Sequence, residues 1–230
     1  MNPMAGRGAT DEAWARAPGR RARWSVLPLV ALLAGCGATQ VAVQQVMPPP
    51  LVTRIPVVVG LYVPPAFREA VHREERDGSE FVIEIGTAQA DGFQRLMNAM
   101  FTRVVPVASV EAGAATDPEI RGVLEPVLTE LSFVTPRDTG TPVYAVSLKY
   151  RINAYTPAGQ PADSWTFTGY GAQPGSQMPG QGRALLQQAA ALAMRDAGAK
   201  LAVEFREQAI VRGLIDASAA PQQVEVQPPP

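Results

Sequence analysis

The chain has 230 residues, 47% of them hydrophobic and 18% charged, with a formal net charge of −1. That balance supplies apolar surface for one sizeable core and lacks the basic excess that nucleic-acid binding needs. The single Cys excludes an intrachain disulfide, and the single His excludes a multi-histidine metal site and argues against a His-based triad. Gly and Pro, at 20 and 22 residues, stay below the roughly 25–30% at which low complexity is the default reading.

The first 23 residues carry Arg7, Arg16, Arg20, Arg21 and Arg23 against Asp11 and Glu12. Trp24 to Leu33 is apolar apart from Ser25, and Ala34 and Gly35 follow. A basic region, a short apolar run and small residues form an export signal. The run is half of the roughly 20 residues that a membrane-spanning helix needs, so residues 1–35 read as a cleaved leader.

Leu33-Ala34-Gly35-Cys36 resembles the processing box of bacterial lipoproteins. The resemblance implies cleavage between Gly35 and Cys36, a diacylglycerol on the Cys36 sulfur and an acyl chain, such as palmitate, on the new amino terminus. A thiol is the nucleophile that thioether formation requires, and two or more acyl chains anchor stably where one does not. Gly37 stands where an Asp signals inner-membrane retention in enteric bacteria, which implies the outer membrane, with the domain at its periplasmic face. An ordinary secretory signal with a stray Cys and a short buried apolar segment are the competing readings. Loss of the leader leaves 15 basic and 19 acidic residues, a mildly acidic surface with no polybasic contact for lipid.

In the mature chain, residues 36–55 read as a Pro-rich tether with polyproline character at Pro48-Pro49-Pro50. Residues 217–230 read as a disordered Pro/Gln tail, leaving one α/β domain over 56–216. Pro56–Val63 predicts a central strand, Phe67–Asp77 a charged loop or short helix, and Phe81–Ile85 a second strand. Phe93, Leu96, Met97, Met100 and Phe101 fall on one helical stripe, with Thr87 as N-cap. Val104–Val110 predicts a Pro-interrupted edge strand, and Ile120–Phe133 another strand with a bulge at Pro126. From Tyr144 the alternation is clean. Val146, Leu148, Tyr150 and Ile152 face inward, and Lys149 and Arg151 face solvent. Trp165–Tyr170 returns as a hairpin partner, and an Ala-rich helix runs from Arg183 to about Gln208.

This order predicts an α+β fold: a two-layer sandwich with a mixed, mostly antiparallel sheet of about five or six strands and two main helices on one face. Over roughly 56–208 the pattern resembles the small periplasmic domain of several envelope families. Examples are curli-secretion-type lipoproteins, penicillin-binding-protein activators and the N-terminal domain of the Tol–Pal propeller protein. The resemblance implies a non-catalytic role in docking, assembly or activation.

Chemistry is sparse. No nucleophile elbow, phosphate-binding loop, zinc-protease or Cys-x-x-Cys motif occurs, and no cofactor is implied. Gly180-Gln181-Gly182-Arg183 enters a helix and could cradle an anion, but the third Gly of a dinucleotide fingerprint is missing at Leu185, and a flexible loop entering a helix is the better explanation. His72 sits in a charged run and reads as solvated. Glu80, Glu84 and Asp91 are near in sequence but show no matched geometry. Lys149 and Arg151 project together from one strand face and are the candidate partner-facing residues. The favoured expectation is a scaffold or docking lipoprotein with two contacts: the membrane through acylated Cys36, and an envelope protein. The alternatives are an auxiliary subunit of a lipid or polysaccharide exporter and a peptidoglycan-acting enzyme.

Overall fold

The computed structural model describes residues 38–43, 51–76, 78–175 and 180–211. The strands are β1 (Thr39–Ala42), β2 (Ile55–Leu61), β3 (Val71–Arg76), β4 (Ser79–Glu84), β5 (Phe101–Pro106), β6 (Ile120–Val134), β7 (Val143–Tyr155) and β8 (Pro161–Pro174). The helices are α1 (Pro65–Arg68), α2 (Gly86–Met100), α3 (Gly113–Thr116), α4 (Pro136–Thr139) and α5 (Gly182–Val211). A single 3-10 turn, Val110–Ala112, precedes α3.

A five-stranded sheet in the order β5-β2-β6-β7-β8 carries the fold. β2 is parallel to both of its neighbours, and β6, β7 and β8 form an antiparallel meander. The alternation in β7 places Val146, Leu148, Tyr150, Ile152 and Ala154 in the core, joined from β8 by Trp165 and Phe167. Against this inner face pack α2, through Phe93, Leu96, Met97 and Met100, and α5, through Leu186, Ala190, Ala193, Met194, Ala197, Leu201 and Phe205. The predicted α+β sandwich with two main helices on one sheet face is what the chain forms. Outside the large sheet, β1, β4 and β3 make a separate three-stranded sheet whose Val41 and Ile83 join the same core.

Several local expectations are corrected. Part of the expected tether is a strand: β1 pairs in parallel with β4, and Val41 is 0% exposed. Its alternating valines are what make this short stretch worth burying. The Phe67–Asp77 run holds α1 and then strand β3 rather than a loop. Its charges alternate along an edge strand, and Arg73 pairs with Glu80 across the sheet at 3.7 Å. α2 starts one residue before Thr87, with Ile85 as N-cap and no side-chain cap. Pro126 lies in register opposite Ile152, and the bulge falls between Leu128 and Glu130 instead. The 217–230 tail and the Pro48–Pro50 run lie outside the described residues.

Candidate functional site

The outer face of the large sheet differs at its two ends. Over β2 and β6 it is covered, where Val107, Ile120 and Val123 form a small second core with Val110, Ala112 and Tyr155. Over β6, β7 and β8 it is open. Lys149 and Arg151 are both exposed there, as the alternation predicts. In register they stand opposite Glu130 and Val127 on β6 and Thr168 and Thr166 on β8. Neither has an ion-pair partner among the described residues. Further along this face, Asn153 Nδ2 and Tyr155 Oη both donate to Glu125 Oε2, at 2.9 and 2.8 Å. Burial and the neighbouring Glu125 carboxylate push the Tyr155 hydroxyl up to about 12.

The edge of this face is closed by α5. Asp196 Oδ2 accepts the Tyr170 backbone N–H at 2.9 Å, and Lys200 Nζ donates to the Thr168 carbonyl at 2.7 Å. The two side chains also pair with each other at 2.8 Å. The free donor and acceptor of edge strand β8 are thereby occupied, which blocks strand addition at this point. Sequence offers only an i, i+4 pair here; its target on β8 is set by packing.

Two clefts flank the small sheet. One, of about 480 Å³, lies at the start of α2 and brings Glu84 and Asp91 together with Glu69, Arg68 and Arg95. Mixed charge of this kind offers no matched acid and base. Glu80 is elsewhere, paired with Arg73. No group of residues suited to holding a metal occurs among the described residues. His72 is half-buried on β3, 3.1 Å from Glu74 and edge-on to Phe133, a packed position and not a solvated one. The second cleft, of about 590 Å³, lies at the start of α5 and includes Gly180, Gly182 and Arg183.

Gly35 and Cys36 lie outside the described residues. No described helix is long and apolar enough to cross a membrane.

The sequence matches no family model and no curated protein. Among solved structures, the chain superposes on a DUF330-family protein from Xanthomonas campestris with a TM-score of 0.41 at 13% identity, over 74% of this chain and 98% of that one. A candidate lipoprotein from Caulobacter crescentus gives a TM-score of 0.32 at 10% identity, over 43% and 76% of the two chains.

Proposed function

We propose that this chain is a non-catalytic outer-membrane lipoprotein that docks an envelope protein through the open face of β6, β7 and β8. The observation that carries the docking reading is the Lys149–Arg151 pair, exposed and without ion-pair partners on the longest uncovered stretch of the sheet. Two cations on one rigid strand face suit a partner surface of negative charge, where complementarity governs encounter and register. The anchor is supported by the Leu33-Ala34-Gly35-Cys36 box directly after the apolar run, with the only Cys of the chain at its end. Because β1 begins at Thr39, three residues past Cys36, the acyl chains hold the domain within about 10 Å of its anchor.

Cross-linking in intact cells tests the face. Lys149→Glu/Arg151→Glu should fold as wild type, since exposed charges add little to stability. It should lose the cross-linked partner, because like charges brought together at an interface cost several kcal/mol. Unchanged cross-links, with full complementation of a deletion strain, would sink the docking reading. For the anchor, Cys36→Ala should leave the membrane fraction; a variant still found with the outer membrane would refute acylation.

A further inference from the structure

The cleft at the start of α5 differs in composition from the mixed-charge cleft at the start of α2. It is lined by Arg137 from α4 and Arg183 from α5, with the hydroxyl-bearing Thr39, Ser79 and Tyr144 from three separate strands. No carboxylate is among its lining residues that the structure describes, and its volume of about 590 Å³ has room for a small solute. Neither guanidinium has a partner among the described residues. The nearest acid in sequence, Asp138, is already engaged. The Thr135 N–H and hydroxyl donate to its Oδ2 at 2.6 and 3.0 Å, and Arg76 Nη1 does so at 3.1 Å. This capping box also fixes α4, so Arg137 projects from a rigid turn.

The helix contributes as well. Leu185 N–H bonds to the Gln181 carbonyl, so the N–H groups of Gly182, Arg183 and Ala184 have no intrahelical acceptor. Tyr144 reaches Gly182 closely: a Cβ there would come within 2.7 Å of the Tyr144 hydroxyl, which would have to shift. Guanidinium groups, hydroxyl donors and helix N–H groups share one chemical preference, for a tetrahedral oxyanion.

We propose that the cleft between α4 and the start of α5 binds a phosphate group, held by Arg137 and Arg183. Thr39 lines it only three residues from Cys36, which puts it within reach of phospholipid headgroups. That lipid source rests on the anchored reading above, whereas the phosphate chemistry rests on the cleft alone.

The test is an NMR titration of the full chain with inorganic phosphate and, separately, with glycerophosphoglycerol, the deacylated headgroup of phosphatidylglycerol. Saturable shifts at Thr39, Tyr144 and Gly182 are expected. Arg137→Gln/Arg183→Gln should keep a native spectrum and lose about tenfold or more in affinity. Lys149→Gln/Arg151→Gln removes the same charge elsewhere and should bind as wild type. Tighter binding of the headgroup than of phosphate assigns the site to lipid, and the reverse assigns it to a free phosphate. Absence of saturation, unchanged binding by the first variant, or equal loss in the second would overturn the proposal. Both probes are soluble, so the outcome does not depend on whether Cys36 is acylated.

Discussion

Tyr150 Oη donates to Gln89 Oε1 at 3.2 Å in the interior, where Gln89 is 0% exposed. Gln89 Nε2 in turn donates to the Phe67 carbonyl at 2.6 Å, tying β7, α2 and α1 together. Burial without a charged partner pushes the Tyr150 hydroxyl far up, so it stays protonated and remains a donor. Tyr150→Phe leaves a buried amide oxygen without that donor and should cost about 1–3 kcal/mol in urea melts. Gln89→Ala should cost more, because it strands both the Tyr150 hydroxyl and the Phe67 carbonyl. A neutral Tyr150→Phe would show that this relay is dispensable.

Phe101, which the stripe predicted as helical but which opens β5 just after α2, and Leu148 of β7 are each 0% exposed in the core. Truncation to Ala should cost about 3–5 kcal/mol at Phe101 and about 2–5 kcal/mol at Leu148. Phe101 also stacks edge-on with Phe205 of α5 at 5.3 Å, so its loss should loosen the final helix. Hydrogen exchange of α5 amides in Phe101→Ala checks that coupling.

The Ala-rich face of α5 lies directly on β8. A Cβ at Gly169 would run into the Ala193 carbonyl, and one at Gly171 into the Ala189 carbonyl. Backbone atoms of a packed helix cannot step aside alone, so Gly169→Ala and Gly171→Ala must push α5 outward. Each should lose about 1–3 kcal/mol by overpacking. A variant that melts at the wild-type urea midpoint would contradict this close approach.

Asp196 and Lys200 occupy the edge groups of β8. Replacing both with Ala frees the Tyr170 N–H and the Thr168 carbonyl beside Tyr170, whose side chain is 63% exposed. An unpaired edge next to an exposed aromatic invites strand pairing between molecules. Sedimentation velocity should show concentration-dependent association for Asp196→Ala/Lys200→Ala and none for the wild type.

Tyr155 gives a pH signature. Its hydroxyl titrates near 12 in the folded chain, by burial first and the Glu125 carboxylate second, against about 10 when unfolded. A raised folded value favours the protonated form, so the stability it adds is complete below about pH 10 and is lost as pH rises toward 12. Tyrosine ring-carbon NMR should resolve this titration, and Glu125→Gln should move it down. A Tyr155 that ionises near 10 in the wild type would remove the interaction.

Acid should act on a different cluster. The Arg76 guanidinium beside Glu74, and the Thr135 N–H on Asp138, hold both carboxyls below their ordinary values. Stability from these groups is present above about pH 4 and falls as pH drops through their lowered values. Arg76→Ala should flatten that acid limb in pH-dependent urea melts. A wild-type acid limb in Arg76→Ala would assign the loss to other carboxylates.

Period and composition were enough to determine the α2 stripe, the inward and outward rows of β7, its hairpin with β8, and the long Ala-rich helix. Each is a local pattern in which one face must leave water, and the spacing of apolar residues states which face. The exposure of Lys149 and Arg151 followed from the same alternation. Tertiary structure alone decided β1 and β3, because a four-residue Val-containing segment and a charged edge strand gain their stability only from β4 beside them. It also decided the candidate sites. Arg137 and Arg183 lie 46 residues apart, and Thr39 precedes them by 98 and 144 residues, so nothing local marks them as neighbours. They share a cleft because α5 crosses back over the sheet and brings its first turn to Tyr144. Local sequence encodes which face of an element is buried, whereas the meeting of polar groups from separate elements depends on how those elements pack.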